Sequence, residues 1–108
     1  MPHDRETARL HELIRDPNTP IDYIDHAEDE MAKDRVSQTD VETVLGRSGV
    51  TEIQPPGRMF RPDRWKVMGN DDDERMLTII VEVDEEPATA EITVVTVWDN
   101  KRGRARKR

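Results

Sequence analysis

The chain has 108 residues, of which 33% are hydrophobic and 38% are charged, and it contains no cysteine. This length suits a single domain, and the lack of cysteine excludes disulfide bonds, thiolate metal sites and cysteine nucleophiles. The net charge of −7 is divided unevenly, because the last eight residues carry six basic side chains and no acid, whereas residues 1–100 carry 11 basic and 24 acidic groups.

The first predicted element is an amphipathic helix over Asp4–Arg15, in which Leu10, Leu13 and Ile14 fall on one apolar stripe. The segment Asp16–Pro20 ends it, because proline and the residue before a proline are disfavoured in a helix interior. Residues 1–20 are therefore expected to form a helix and a linker. The first ten residues, Met1–Leu10, contain no apolar stretch like that of a signal peptide. No run in the sequence approaches the roughly 18 apolar residues of a membrane span, so we expect a cytoplasmic protein without a membrane partner.

A second helix is predicted to begin near Asp22 or Asp25 and to run to about Asp34. Asp25 and Glu28 have the spacing of a capping pair, although Asp22 competes for the start. The apolar side of this helix consists of Ile24, Ala27 and Met31.

The third helix has a clearer start. Ser37 can cap it, and Asp40 stands at the position that completes a capping box. Gly46 or Gly49 is expected to end it, because glycine readily adopts the left-handed conformation of a helix C-terminus. The inward-facing residues are Val41, Val44 and Leu45.

The remainder is predicted to be β-structure. Alternation over the second strand places Arg64, Lys66 and Met68 on one face, and Gly69–Asp73 is predicted to be a turn. Helices followed by a strand meander indicate an α+β fold, with N-terminal helices packed on a mainly antiparallel four-stranded sheet. The main domain is expected at residues 21–100 and a basic, disordered tail at 101–108. The four predicted strands are Thr51–Gln54, Arg64–Met68, Met76–Val83 and Glu91–Trp98.

Short motifs between Tyr23 and Trp98 carry a family resemblance. They are His26-Ala27, Met31, Val36-Ser37, Asp40-Val41, Val44-Leu45, Arg64-Trp65-Lys66-Val67, Leu77–Val83 and Val95-Thr96-Val97-Trp98. In these motifs the chain resembles the domain-of-unknown-function family 4258, which is grouped by fold with the RelE and BrnT toxins and with barnase-like metal-independent ribonucleases. The resemblance implies a RelE-like fold, ribonuclease activity without a cofactor, an RNA substrate and an antitoxin partner protein.

The chain departs from the family pattern in the second helix. Two positions at which the family often has a basic residue hold Glu30 and Asp34, and the nearest cation, Arg35, is displaced by one residue. These acids favour an alternative function, a non-catalytic module of the same fold that binds a protein or a nucleic acid.

Metal-independent RNA cleavage needs an acid, a base and cations around the phosphorane. His26 is the candidate acid or base, because histidine titrates near neutral pH; alternatively, it is a helix-start residue bonded to the backbone or to an acid. Thr96 occupies the threonine position of the family, but a buried strand threonine is the alternative. His26 and Glu30 have a spacing that can hold zinc, yet no second pair accompanies them, so we expect no metal.

A basic cluster on the second predicted strand is the candidate phosphate site. Arg64 and Lys66 share one strand face and are assigned with His26 and Thr96 to catalysis, provided that His26 faces the same hollow. Ordinary exposed strand cations are the alternative. Trp65 offers a stacking surface, although a core position is favoured. The predicted nucleic-acid contacts are Arg58, Arg61, Arg35, Lys101, Arg102, Arg104, Arg106, Lys107 and Arg108.

The basic tail allows three interpretations. It can bind RNA through counterion release, it can remain a solvated tail as charge runs often do, or it can fold onto the acidic body and mask it.

Overall fold

The computed structural model describes residues 3–57, 59, 61–86 and 88–101. No helix in these ranges is both long and apolar enough to cross a membrane. The predicted contacts that lie outside the described residues are Arg58, Arg102, Arg104, Arg106, Lys107 and Arg108, and with them most of the predicted tail. The elements of the described chain are α1 Asp4–Arg15, β1 Ile21–Tyr23, α2 Asp25–Asp34, α3 Gln38–Arg47, β2 Val50–Gln54, β3 Arg64–Asn70, β4 Met76–Asp84 and β5 Glu91–Asp99.

The α+β class and the three predicted helices are confirmed. Helix α1 has the predicted bounds, and its Leu10 and Leu13 are buried. Helix α3 begins with the predicted capping box, in which the Asp40 backbone N–H donates to Ser37 Oγ at 3.0 Å and the Ser37 backbone N–H donates to Asp40 Oδ2 at 2.9 Å. Both backbone donors at this helix start are thereby satisfied.

At two helix boundaries the predicted capping residue is wrong. Helix α2 begins at Asp25, but its N-cap is Ile24, whose side chain makes no capping bond. Helix α3 ends at Arg47 with an extended Ser48, and no described glycine has a positive φ. Gly46 lies inside the helix instead, where a Cβ would come within 3.2 Å of Ile14 Cγ2. Its missing side chain therefore allows α1 to approach α3 closely.

The sheet of the described chain has five strands rather than four, in the order β1-β5-β4-β3-β2. The additional strand β1 pairs in parallel with β5, whereas the other pairs are antiparallel, so the sheet is mixed. Backbone bonds from Ile92 to Pro20 and from Ile24 to Val94 hold its two ends. A three-residue strand has no alternation to detect, and only its pairing defines it.

Helices α1, α2 and α3 pack on one face of the sheet and form a single core with it. Helix α2 contacts β5, α3 contacts β3, and α1 packs mainly against α3. Trp65 is partly buried against this core, as favoured from the sequence. The fully buried strand residues of the core are Val67, Leu77, Ile79, Val81, Ile92, Val94 and Val97.

The turn between β3 and β4 is tied to the helices by Arg75. Its guanidinium donates to Asp71 Oδ2 at 2.8 Å and to Asp40 Oδ2 at 3.1 Å. It also donates to the carbonyls of Asp34 at 3.1 Å and of Arg35 at 3.2 Å. Gly69, predicted to open the turn, lies in β3 instead.

A residue with a side chain would not fit at the position of Gly69 in β3. A Cβ there would overlap the side chain of Ser48, which directly follows α3. The strand therefore continues through a glycine because the end of α3 passes too close for any other residue.

Candidate binding site on the open sheet face

The sheet face opposite α1–α3 carries the residues that alternate with the core positions. We call it the open face. In three cross-strand rows, from β3 through β4 to β5, it presents Arg64, Glu82 and Thr93, then Lys66, Ile80 and Thr96, then Met68, Thr78 and Trp98. Because β3 alternates as predicted, Arg64 and Lys66 do lie on one face.

Glu82 is a buried acid at the centre of the first row. Its side chain is only 7% exposed, and it meets two guanidiniums. Arg61 donates to Oε1 through Nε at 3.2 Å and Nη2 at 2.7 Å, and Arg64 donates to Oε2 through Nε at 3.2 Å. Two positive charges thus share one carboxylate, which leaves one positive charge in the cluster.

Gly57 fixes the position of the Arg64 guanidinium from the other side. A Cβ on Gly57 would overlap Arg64 Nη2 and would lie 2.7 Å from Cζ and 3.1 Å from Nη1. The guanidinium therefore lies directly against the backbone of the β2–β3 loop. Held between this loop and Glu82, Arg64 has little rotamer freedom left to lose on binding a ligand.

Beside this cluster lies a hollow of ≈ 310 Å³. It combines charged, hydroxyl and aliphatic groups, so it offers a ligand both polar and apolar contacts. The hollow is lined by Ile24, Arg61, Arg64, Glu82, Thr93 and Val95.

The third row makes the open face apolar and aromatic. Met68 and Trp98 are partly exposed on either side of Thr78, with Ile80 of the neighbouring row beside them. Val95 is 6% exposed although it does not belong to the core cluster under the helices. An indole ring next to thioether and aliphatic groups offers a flat surface for stacking.

The chain leaves β5 on the side of the open face. Thr78, only 1% exposed, donates from Oγ1 to Asn100 Oδ1 at 2.5 Å. Lys101 follows and is exposed, with its backbone N–H bonded to Asp99 Oδ1 at 2.9 Å. The last two described residues, Asn100 and Lys101, are therefore anchored beside Trp98, and Lys101 is the first residue of the basic segment 101–108.

A match to a known protein family covers almost the entire sheet. The model of a family described as Domain of unknown function (DUF4258) matches residues 23–99. The chain belongs to this family. No curated protein and no solved structure matches it. The family predicted from the sequence is confirmed, and the matched residues of this DUF4258 domain include every residue of the three open-face rows.

Some of the predicted catalytic residues come together in the DUF4258 domain. Lys66 and Thr96 lie in one row with Ile80 between them, and Arg64 is in the next row. Thr96 is half-buried. In β3, the backbone carbonyl of Lys66 accepts a hydrogen bond from Thr51 Oγ1 at 3.2 Å.

His26 and Arg35 are placed elsewhere. His26 is exposed in the first turn of α2, which packs on the helix side of β5, and it is not among the residues that line the hollow. Arg35 caps the C-terminus of α2 in a left-handed conformation with φ 54°, where its carbonyl accepts from Arg75. Neither residue joins the strand cations. Within the described segments, no three potential metal ligands gather either.

Sequence reasoning missed Glu82 and Trp98 as parts of this site. Glu82 stands in an apolar strand, and an acid between valines is itself a signal of a buried ion pair. The sequence predicts Trp98 in the last strand but not on which face it lies, because a bulge shifts the register between β4 and β5 at Ile80/Val81. The face of each β5 residue follows only once that bulge is known.

Proposed function

We propose that this DUF4258 domain binds single-stranded RNA on its open face and does not cleave it. The observation that carries the proposal is the bond between Thr78 and Asn100, since it holds Asn100, the residue directly before the basic segment 101–108, on the face that carries Lys66, Arg64 and Trp98. The strand cations Arg64 and Lys66 and the stacking surface of Trp98 lie on this one face.

Recognition of a single strand needs stacking surfaces for bases and cations for the backbone. Trp98 and Met68 can supply the stacking surface in the third row, and Lys66 and Arg64 are the cations of the two rows beside it. Of these cations, Arg64 is already shared with Glu82. Lys66 and the basic segment are therefore expected to provide most of the phosphate contacts.

The charge distribution supports the assignment of most phosphate contacts to Lys66 and the basic segment. Residues 1–100 carry a net charge of −13, whereas the last eight residues carry +6. A polyanion is repelled by the body as a whole and attracted by the segment that starts beside Trp98. Binding should therefore depend strongly on salt and on this segment.

A toxin-like, metal-independent ribonuclease of the RelE type, partnered by an antitoxin, is the second candidate. The grouping of Lys66 with Thr96 beside Arg64 favours it, because cations there can stabilise a phosphorane. Binding without cleavage is preferred because His26, the candidate acid or base, lies on α2 outside the hollow.

The test measures the affinity of a fluorescent single-stranded RNA for the full chain over a range of salt concentrations. Ending the chain after Asn100 removes six cations and should lower the slope of log K against log salt by up to about 4, at about 0.7 per phosphate contact. Lys66→Ala should weaken binding, whereas Arg47→Ala is the matched control, because Arg47 pairs with Asp72 at the β3–β4 turn. Retention of RNA by all four proteins with the same slope would refute the proposal.

The same samples decide between binding and cleavage. Incubation of the RNA with the wild type and with His26→Ala should leave it intact in both cases. Cleavage by the wild type that is lost in His26→Ala would replace the proposed function with the ribonuclease.

A further inference from the structure

We propose that the hollow beside Arg61 and Arg64 receives a terminal phosphate, so that the domain recognises the end of an RNA strand. The inference rests on the proposed function and assigns to one part of the open face a specific group of the ligand. Three features of the hollow support it: donor geometry, a change of charge at its rim, and its distance from Trp98.

The donor geometry suits a phosphomonoester. Glu82 takes Nε and Nη2 of Arg61 and Nε of Arg64, and within the described chain no acceptor meets the Nη groups of Arg64. A guanidinium offers five N–H groups in a rigid fork that matches phosphate oxygens. A terminal phosphate presents three such oxygens and up to two charges, whereas an internal phosphodiester carries one charge. The remaining N–H groups therefore favour the terminal form.

The buried acid has a positioning role in this arrangement. Glu82 holds both guanidiniums from below, and Gly57 leaves room for Arg64 against the loop backbone. The carboxylate of Glu82 thus offsets the repulsion between the two guanidiniums and holds both of them at the hollow before a ligand binds. Preorganised donors lose less entropy when a ligand binds.

The surface charge changes from positive to negative directly beyond the hollow. Asp84 and Glu91 are cross-strand partners in the row next to Glu82 on the open face, and both lie near enough to act electrostatically on Arg61. Further phosphates in that direction would meet like charges. A strand that runs from Trp98 towards Arg61 must therefore end at the hollow.

The length of the open face sets the size of the ligand. From Thr78, in the row of Trp98, to Glu82 the strand rises by roughly 14 Å at about 3.4 Å per residue. A short oligonucleotide therefore reaches from the stacking surface to the hollow. The aliphatic side chains of Ile24 and Val95 would contact the last sugar or base.

The experiment compares one short single-stranded RNA in three forms, with a 5′-phosphate, with a 3′-phosphate and with hydroxyl groups at both ends. Affinities for the full-length protein are measured by fluorescence anisotropy at fixed ionic strength. One of the two phosphorylated forms should bind about tenfold more tightly than the hydroxyl form, as expected for charge-assisted hydrogen bonds. The form that gains identifies the end that is recognised.

The variants separate the hollow from general charge effects. Arg61→Ala should abolish the preference for the phosphorylated end, and Arg61→Lys, which keeps the charge but loses the fork, should retain only part of it. Arg47→Ala removes the same charge elsewhere and should retain all of it. Equal affinity for all three RNA forms would overturn this inference and leave RNA binding intact, whereas binding of none of them would overturn the proposed function and the inference together.

Discussion

Replacing Arg75 with alanine tests whether the contacts of the β3–β4 turn stabilise the whole fold. The side chain of Arg75 is 25% exposed and that of Asp71 is 0% exposed. The variant leaves the buried Asp71 carboxylate without its counter-ion, because the remaining bonds to its Oδ1 come from the backbone N–H groups of residues 73 and 75. It also removes the donors to two carbonyls at the junction of α2 and α3.

The magnitude follows from these losses. Two neutral acceptors that lose a donor cost about 1 kcal/mol each at most, and removal of one partner of a fully buried ion pair costs about 3–5 kcal/mol. Water can reach the partly exposed Arg75 position and can take over the bonds to the two carbonyls, so we expect a total of about 3 kcal/mol, the low end of the range for the ion pair alone. In a domain of this size the melting temperature should fall by roughly 10–20 °C.

Urea unfolding followed by tryptophan fluorescence measures this difference. Arg47→Ala is the control, because its ion pair with Asp72 is 49% and 76% exposed and should contribute less than about 1 kcal/mol. Burial alone would raise the pKa of Asp71, but hydrogen bonds and the charge of Arg75 lower it overall. The stability it confers is therefore present above the unfolded pKa of about 3.9 and lost as the pH falls below it. Equal unfolding free energies for the two variants, or an unchanged acid slope in Arg75→Ala, would refute this account.

Three further predictions concern single side chains. Burial, followed by the charge and hydrogen bond of Glu42, raises the pKa of Tyr23, so the free energy of unfolding should fall above about pH 10. Absorbance titration of this single tyrosine should show that it ionises only as the protein unfolds, and Tyr23→Phe should remove this loss of stability. Gly57→Ala should displace the guanidinium of Arg64 and weaken RNA binding in anisotropy measurements, while the circular dichroism spectrum stays unchanged. Trp98→Ala should weaken RNA binding about tenfold through lost stacking, and Trp98→Phe much less; equal affinities would exclude stacking at this position.

The elements with strong local signals could be predicted from the sequence. The capping box of Ser37 and Asp40 involves residues three apart, and the apolar periodicity of α1 and the β-branched residues of β4 are equally local. The strand β1 was missed because its only signal is the pairing with β5, about 70 residues later in the chain. Interactions that are distant in sequence leave no pattern in a short window.

The predicted site shows the same limit. Alternation along β3 correctly put Arg64 and Lys66 on one face, because two-residue periodicity needs no knowledge of the neighbouring strands. The relation of His26 to these cations depends on which face of the sheet α2 covers, and that is decided by the burial of Ala27 and Met31 against β5. Residue types alone cannot supply such a three-dimensional relation.

The charges of the strand cluster illustrate why a count along the sequence overstates what a ligand meets. Between Gly57 and Lys66 the sequence has four cations and one acid, which suggests a strongly basic patch. Glu82, far away in the sequence, lies directly opposite Arg64 and also holds Arg61. The patch is thus partly neutralised from within, and its arginines act as fixed hydrogen-bond donors more than as a source of attraction. Under the proposed function, Lys66 and the basic segment 101–108 would attract the RNA and the hollow would recognise its terminal phosphate, so attraction and recognition should respond differently to salt.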